Sequence, residues 1–267
     1  MADQSFEHID AGRGIDWGLT SQDYDRYRPG PPDSFYRKLQ ALDIGLPGQR
    51  ILDIGTGTGL LARRFAAQGA YVAGIDVSAE QIAMAQNAAQ QEVLSIDFRA
   101  AVAEDIPHSE RSFDVVTANQ CWLYFDHSRA IPQVCRVLAP TGRLLVSYFS
   151  FMPRLDAVAQ ASEALVLKYN PDWNGADWEG VIAPVPKWSA EHFELVGMFV
   201  YDEQIHFTRE SWRGRMRALR GIAASLSPSQ VSAFDVEHDT LLRSLAGDEF
   251  DVWHRIHAHI FAPCAPS

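Results

Sequence analysis

The chain has little cysteine, a deficit of basic charge and no long apolar run. Its three cysteines in 267 residues, Cys121, Cys135 and Cys264, are odd in number and far apart, with no C-x-x-C pair. That spacing excludes a disulfide framework and a clustered metal site, so free thiols and a cytoplasmic location are expected. Lysine and arginine number 23 against 34 aspartates and glutamates, a formal net charge of -11. Phosphate-rich partners need basic surfaces, so neither nucleic acid nor an anionic membrane is an expected partner. No stretch approaches the roughly 20 apolar residues of a membrane helix, and the polar segment 1–16 lacks the apolar core of a signal peptide. Internal repeats and low-complexity tracts are also lacking. What remains is an ordinary globular composition, 47% hydrophobic and 21% charged, in a chain long enough for a full core plus an inserted cap.

One stretch organises the rest. Ile51-Leu52-Asp53-Ile54 is a short apolar run carrying an acid, Gly55-Thr56-Gly57-Thr58-Gly59 alternates glycines, and Leu60 to Phe65 is apolar-periodic. The pattern reads as a buried strand, a tight turn and a helix start. Glycines suit a backbone that must turn sharply and approach a bound molecule closely. Two ligand classes use such a turn. Gly57-Thr58-Gly59-Leu60-Leu61-Ala62 satisfies the permissive G-x-G-x-x-A form of a dinucleotide site. A carboxylate at Asp53 would repel a pyrophosphate over the same turn and attract a ligand bearing an ammonium group. S-adenosylmethionine carries an ammonium and no phosphate.

Asp53-Ile54-Gly55-Thr56-Gly57-Thr58-Gly59 matches the E/D-x-G-x-G-x-G signature, and from about Tyr24 to about Phe149 the chain resembles class I S-adenosylmethionine-dependent methyltransferases of small molecules. The resemblance implies a Rossmann-like α/β fold with seven strands, the last antiparallel, helices on both faces and a helical or looped cap. It implies S-adenosylmethionine as donor, S-adenosylhomocysteine as product, and a small-molecule acceptor. By the same resemblance Gly55, Thr56 and Gly57 line the donor, Tyr24 and Arg28 fold over its methionine end, and Gln81 and Val77 pack by the adenine. Family members commonly have Gly-Asp-Ala after the third strand. This chain has Val102 in the place of the Asp, which leaves the backbone N–H near Ala103 as the adenine contact and shifts the acceptor role to Glu104 or Asp105. Asn119 is expected by the methionine part, with Trp122 and Tyr124 facing the region of methyl transfer.

Along the chain, strands are expected at Tyr71 to Asp76, Leu94 to Ala101, Ser112 to Asn119 and Gly142 to Phe149, alternating with helices, one from a capping box at Ser78 to about Gln91 and one from Ser128 to Leu138. Asp76 stands about 20 residues beyond the glycine turn, the distance at which a βαβ unit brings an acid to a ribose. Four regions follow: an N-terminal arm and helix (1–45), a donor-binding core (46–150), a cap and substrate region (151–198), and C-terminal strands and helices (199–267). The cap contains a helix from Arg154 to Tyr169 and a stretch with Trp173, Trp178 and Trp188, with Trp173 as a substrate-side candidate. Strands are expected at Phe199 to Phe207 and Asp251 to Phe261, separated by helices from Glu210 to Ala224 and from Ser227 to Leu245. The first of these presents Arg213, Arg217 and Arg220 at helical spacing, and Arg217 is the candidate partner for an anionic substrate.

In-line methyl transfer needs no metal and no covalent enzyme intermediate. A phenol, amine or thiol acceptor must lose a proton, yet none of the histidines at 192, 206, 238, 254, 257 and 259 lies in a motif that singles it out. The catalytic base is therefore unassigned. Two other functions remain open: a protein that binds S-adenosylmethionine without transferring methyl, and an NAD-dependent oxidoreductase, which Asp53 and Leu60 disfavour.

Overall fold

The apolar run before the glycines forms strand β1 (Arg50–Ile54), whose last four residues are buried. The computed structural model describes Arg26, Tyr27 and residues 29–264. Helix α1 (Asp33–Gln40) precedes β1, and then strands and helices alternate: α2 (Leu60–Ala67), β2 (Tyr71–Asp76), α3 (Ala79–Gln91), β3 (Ile96–Ala100), β4 (Phe113–Asn119), α4 (His127–Val137) and β5 (Leu138–Phe151). After these come α5 (Ala157–Tyr169), β6 (Phe193–Thr208), α6 (Arg209–Arg217), α7 (Pro228–Leu245) and β7 (Glu249–Pro263). The strands form one seven-stranded mixed sheet in the order β3-β2-β1-β4-β5-β7-β6, with the last strands antiparallel. From β1 the chain runs outward through β2 and β3, then returns to begin β4 on the other side of β1. That reversal is the topological switch point, where open α/β sheets hold ligands at the carboxyl ends of their strands.

Local chemistry explains the helix starts. The Ser78 hydroxyl accepts the Gln81 N–H to open α3, Asp126 accepts the Ser128 N–H to open α4, and Asp156 accepts the Ala159 N–H to open α5. Ser227 and Gln230 exchange reciprocal bonds at the start of α7, with Pro228 in the first turn. Helix α6 differs from expectation by stopping at Arg217 instead of reaching Ala224. There Asn170 donates its side-chain N–H to the Gly221 carbonyl at 2.8 Å, and the Trp173 ring occupies the space where a Cβ of Gly221 would lie, so the chain is bent into turns.

Two compact units are present. Among the described residues, one comprises Gly30–Phe149, Ile182–Tyr201 and 256–264. Its core is the β1–β5 sheet packed with Trp122, Ile131, Val134, Phe193 and Phe261. The other comprises Ser150–Val181 and Asp202–Arg255, with Arg26, Tyr27 and Pro29. Its core gathers Phe151, Val166, Trp173, Phe207, Trp212, Met216 and Phe234, while Arg213 joins α6 to Asp235 and Asp239 of α7.

Inside this second core lies a buried polar chain. The Trp212 Nε1–H donates to Ser162 Oγ at 3.0 Å, and that hydroxyl donates to the Val158 carbonyl at 2.7 Å. His238 Nε2 lies 2.9 Å from the same oxygen. A serine has one proton, already given to Val158, so His238 is the donor at Nε2 and its Nδ1 carries a lone pair. No partner for Nδ1 is present among the described residues. Burial makes the charged imidazolium costly and pulls the His238 pKa down to about 4.

Between pH 6.5 and 4 the unfolded chain therefore binds a proton that the folded chain refuses, so this histidine's stabilising effect, complete above that window, is lost as pH falls. Between pH 7 and pH 5 the loss should be about 2 kcal/mol. In urea melts, His238→Gln should show a correspondingly smaller drop over the same interval. Equal drops in the two proteins would remove His238 from the acid sensitivity.

Candidate functional site

The site is built from the carboxyl end of β1. In a parallel pair, register partners point to the same face, and Asp53 is paired with Thr117 of β4 on one side and Gly74 of β2 on the other. Asp53 is 2% exposed. Its Oδ1 accepts the Thr117 hydroxyl at 2.6 Å and its Oδ2 accepts the Thr56 hydroxyl at 2.6 Å. The carboxylate thus lies enclosed, tying the strand to the glycine turn and to β4, instead of standing open above the turn. Burial pushes its pKa up to about 6, opposed by the two hydroxyl bonds and assisted by the neighbouring charge of Asp76.

The turn itself is left-handed at each of its glycines, with φ of 63° at Gly55, 58° at Gly57 and 76° at Gly59. At Gly55 an added Cβ would lie 2.8 Å from both Cβ and Sγ of Cys121. Cys121 is held there because its thiol donates to the Ile54 carbonyl at 3.1 Å. At Gly59 an added Cβ would lie 2.7 Å from the Phe98 ring. Both positions therefore require glycine for backbone conformation and for space.

Asp76 closes β2 beside the turn. Its Oδ2 accepts the Gly57 N–H and its Oδ1 accepts the Ser78 N–H, each at 2.9 Å. Burial raises its pKa, and the backbone donors of Ser78, Gly57 and Val77 oppose that rise. The carboxylate has about four acceptor sites, so capacity remains for a hydroxyl. The neighbouring Val77 is 63% exposed, an apolar face at the end of the strand. Gln81 is buried on the first turn of α3, and Ala103 is buried in the loop after β3. Glu104 is buried as well, and its Oε1 accepts the Asp126 N–H at 2.8 Å, bracing the start of α4.

Asn119 ends β4 opposite Ser147 of β5, whose hydroxyl donates to its Oδ1 at 3.1 Å. The next residue, Gln120, takes a left-handed φ of 68°, uncommon for a residue with a side chain. It is held by its N–H to the Ser147 carbonyl at 2.8 Å and by its side-chain amide to the Phe149 carbonyl. A 3-10 turn, Trp122–Tyr124, follows. Trp122 is 1% exposed and tilted 4.8 Å from Trp188, with its ring stacked on His127, so it packs the core. Tyr124 is half-buried at the end of the same turn.

The expected residues Asp53, Gly55, Thr56, Gly57, Asp76, Val77, Gln81, Ala103, Glu104, Asn119, Trp122 and Tyr124 all fall within the first compact unit. Trp173 and Arg217 belong to the second. Trp173 is buried in its core, and Arg217 pairs with Asp235 at 2.6 Å and covers the Tyr27 ring. Tyr24 and Arg28 lie outside the described residues. Thr117, Gln120 and Cys121 were not singled out in the sequence as site residues. Thr117 reads there only as one residue of a strand, because cross-strand register is not written in a single strand's pattern.

Among the described residues no group of histidine, cysteine, aspartate and glutamate is arranged to hold a metal, and no helix is long and apolar enough to cross a membrane. Three of the turn's N–H groups are already used internally, Thr56 to the Ile75 carbonyl, Gly57 to Asp76 and Gly59 to the Thr56 carbonyl. A pyrophosphate would need such groups free.

Residues 52–146 match the family model of a methyltransferase domain. An uncharacterized methyltransferase of Mycobacterium tuberculosis (strain H37Rv) is 34% identical over 57% of this chain and 59% of its own length. A ubiquinone biosynthesis O-methyltransferase of Rhodopseudomonas palustris is 32% identical over 63% of this chain and 65% of its own length. The chain thus spans about three-fifths of the length of these relatives. A solved phosphoethanolamine N-methyltransferase of Haemonchus contortus, in complex with phosphomonomethylethanolamine and S-adenosylhomocysteine, shares the fold with a TM-score of 0.51 at 19% identity, over 95% of this chain and 58% of that one. The strand order, the elbow between β1 and α2 and these likenesses converge on one segment: residues 52–146 match a methyltransferase domain, and the sheet has the fold of solved methyltransferases.

Proposed function

We propose that the chain transfers a methyl group from S-adenosylmethionine to a small-molecule acceptor by in-line displacement. The observation that carries the reading is the pair of acids flanking a glycine elbow, Asp53 buried beneath the turn and Asp76 half-buried at its side. The donor supplies a sulfonium-bound methyl group ready for displacement. In this reading Asp76 accepts the ribose hydroxyls through its remaining lone pairs, Val77 and the Ala103 backbone meet the adenine, and Gly55 and Gly57 let the backbone close on the amino-acid tail. Asp53 contributes negative potential under that tail from an enclosed position, while Thr56 and Thr117 keep its carboxylate fixed. Asn119 stands at the fork of β4 and β5, on the methionine side. The described residues given a role here all lie within the first compact unit.

The residues described have one principal task in the reaction. They hold two reactants in line and exclude water, an orientation effect worth up to roughly 7 to 11 kcal/mol. A half-buried Tyr124 face would add about 0.5 to 2 kcal/mol of attraction for a sulfonium. The S-adenosylhomocysteine bound to the Haemonchus neighbour agrees with this donor. The O-methyltransferase relative agrees with a small-molecule acceptor.

Calorimetric titration separates the readings. S-adenosylmethionine and S-adenosylhomocysteine should bind and NAD should not; binding of NAD alone would overturn the assignment. Asp76→Ala should weaken S-adenosylhomocysteine on the order of tenfold to a hundredfold, since ribose hydroxyls lose a charged acceptor, and an unchanged affinity would take Asp76 out of the site. For Asp53 the expectation concerns pH. Its folded pKa is raised to about 6, so the folded state holds a proton more tightly than the unfolded one. The stabilisation from that proton is lost as pH rises through 6, while the charge that attracts an ammonium appears over the same range. Product affinity should therefore fall as pH drops through 6. Asp53→Asn should flatten that dependence without lowering the melting temperature at pH 8, and a pH profile identical to the parent's would exclude Asp53 as the source.

A further inference from the structure

Strand β4 carries one residue that its surroundings do not call for. Val115, Val116, Thr117 and Ala118 are all buried, Thr117 to 0% exposure, and a valine in its place would have nearly the same shape. A buried hydroxyl is costly unless it is bonded. Among the described residues the Thr117 hydroxyl makes one bond, to Asp53 Oδ1 at 2.6 Å. That length is typical of a charge-assisted O–H···O⁻ bond. The other donor to Asp53, Thr56, also shapes the turn, for its N–H bonds the Ile75 carbonyl and its carbonyl accepts the Gly59 N–H. Thr117 stands instead on a strand paired with β1 on one side and β5 on the other, so two ladders fix the point from which it donates. All of these residues lie in the first compact unit.

We propose that Thr117 is a positioning residue for the donor's amino-acid tail: its hydroxyl keeps the Asp53 carboxylate ionised and fixed beneath the glycine turn. The inference rests on the reading of the chain as an S-adenosylmethionine-binding enzyme. In this role Thr117 touches neither donor nor acceptor and acts through Asp53. A donated O–H favours the charged form of a carboxyl over the neutral one, and here it works against the burial that pushes Asp53 towards protonation. The titratable groups facing Asp53 are Asp76 of β2, whose charge also opposes ionisation, and Tyr36 of α1. Burial holds the Tyr36 phenol well above its ordinary range, so it stays neutral. Arg63 and Arg64 of α2, the helix packed on β1, act on Tyr36. Asp114, the acid on β4, pairs with Arg50 at 2.6 Å. The hydroxyls of Thr117 and Thr56 are therefore what holds the charge on Asp53 against burial and Asp76.

Binding of S-adenosylhomocysteine across a range of pH separates this role from simple packing. In calorimetric titrations the parent's affinity should fall as pH drops through about 6. Thr117→Val should move that midpoint up by about one to two pH units. At pH 7 its affinity should then be about two- to tenfold weaker, while near about pH 8.5 the two proteins should agree within about twofold. Thr117→Ser keeps the hydroxyl and should hold the parent's midpoint. Adding Thr117→Val to Asp53→Asn should change affinity by less than about twofold, because the partner of the hydroxyl's charge is already gone. An unmoved midpoint in Thr117→Val, an equal loss at every pH, a midpoint in Thr117→Ser that moves as far as in Thr117→Val, or a further loss in the double variant would overturn the inference. If Thr117→Val does not fold, Thr117→Cys, whose thiol is a weaker donor, should show part of the shift, and an unmoved midpoint there overturns it. Failure of S-adenosylhomocysteine to bind the parent at any pH would instead overturn the donor assignment.

Discussion

The carboxylate of Asp53 is the point on which the site depends. It spends its two oxygens on two hydroxyls, one in the glycine turn and one on β4. A buried charge is tolerated only when such bonds compensate its lost hydration. Here the compensation is partial, as the upward-pushed pKa records. What the arrangement gains is a fixed junction. The end of β1, the first half of the turn and the neighbouring strand are locked to one group. Asp76 repeats the device on the other flank, gripping the Gly57 amide and the Ser78 amide. Two acids thus set the backbone of the elbow before any ligand arrives, the kind of preorganisation that lowers the ordering cost of binding.

Much of this was legible in the chain. Alternating strands and helices marked the chain as α/β, and the family resemblance carried by the glycine run after an acid implied seven strands with the last antiparallel, which the structure shows. Those features are local, and local pattern is what a sequence displays. Pairings across strands were not legible. Thr117 reaches Asp53 only because the register of β1 with β4 places them side by side, and Tyr148 meets His257 only because β5 and β7 are neighbours in the sheet order. The strand ends were also underestimated. The expected segment from Phe199 to Phe207 is a strand of 16 residues, Phe193–Thr208, because ladder hydrogen bonds extend β structure through residues whose own alternation is poor. Conversely α6 is shorter than its spacing suggested, for Trp173 and Asn170 act on Gly221 from outside the helix.

The fork between β4 and β5 carries its own tension. Gln120 holds a backbone conformation costing on the order of 1 to 2 kcal/mol for a residue with a Cβ. Two bonds to β5 keep it there. The reversal they impose is what turns Cys121 back against the elbow and starts the short turn through Trp122 and Tyr124. Trp122 then anchors that turn in the core beside Trp188 and His127. Trp122 is thus a foundation of the turn.

One phenyl ring writes a rule for how this domain can change over time. Phe98 lies against both Gly59 and Gly74, and an added Cβ at either would come within 2.7 Å of its ring. The three positions therefore form a single evolutionary unit with strong epistasis. A larger residue at either glycine becomes tolerable in space only in lineages where the phenylalanine has first been replaced by something smaller, and at Gly59 the left-handed backbone would still restrict the choice.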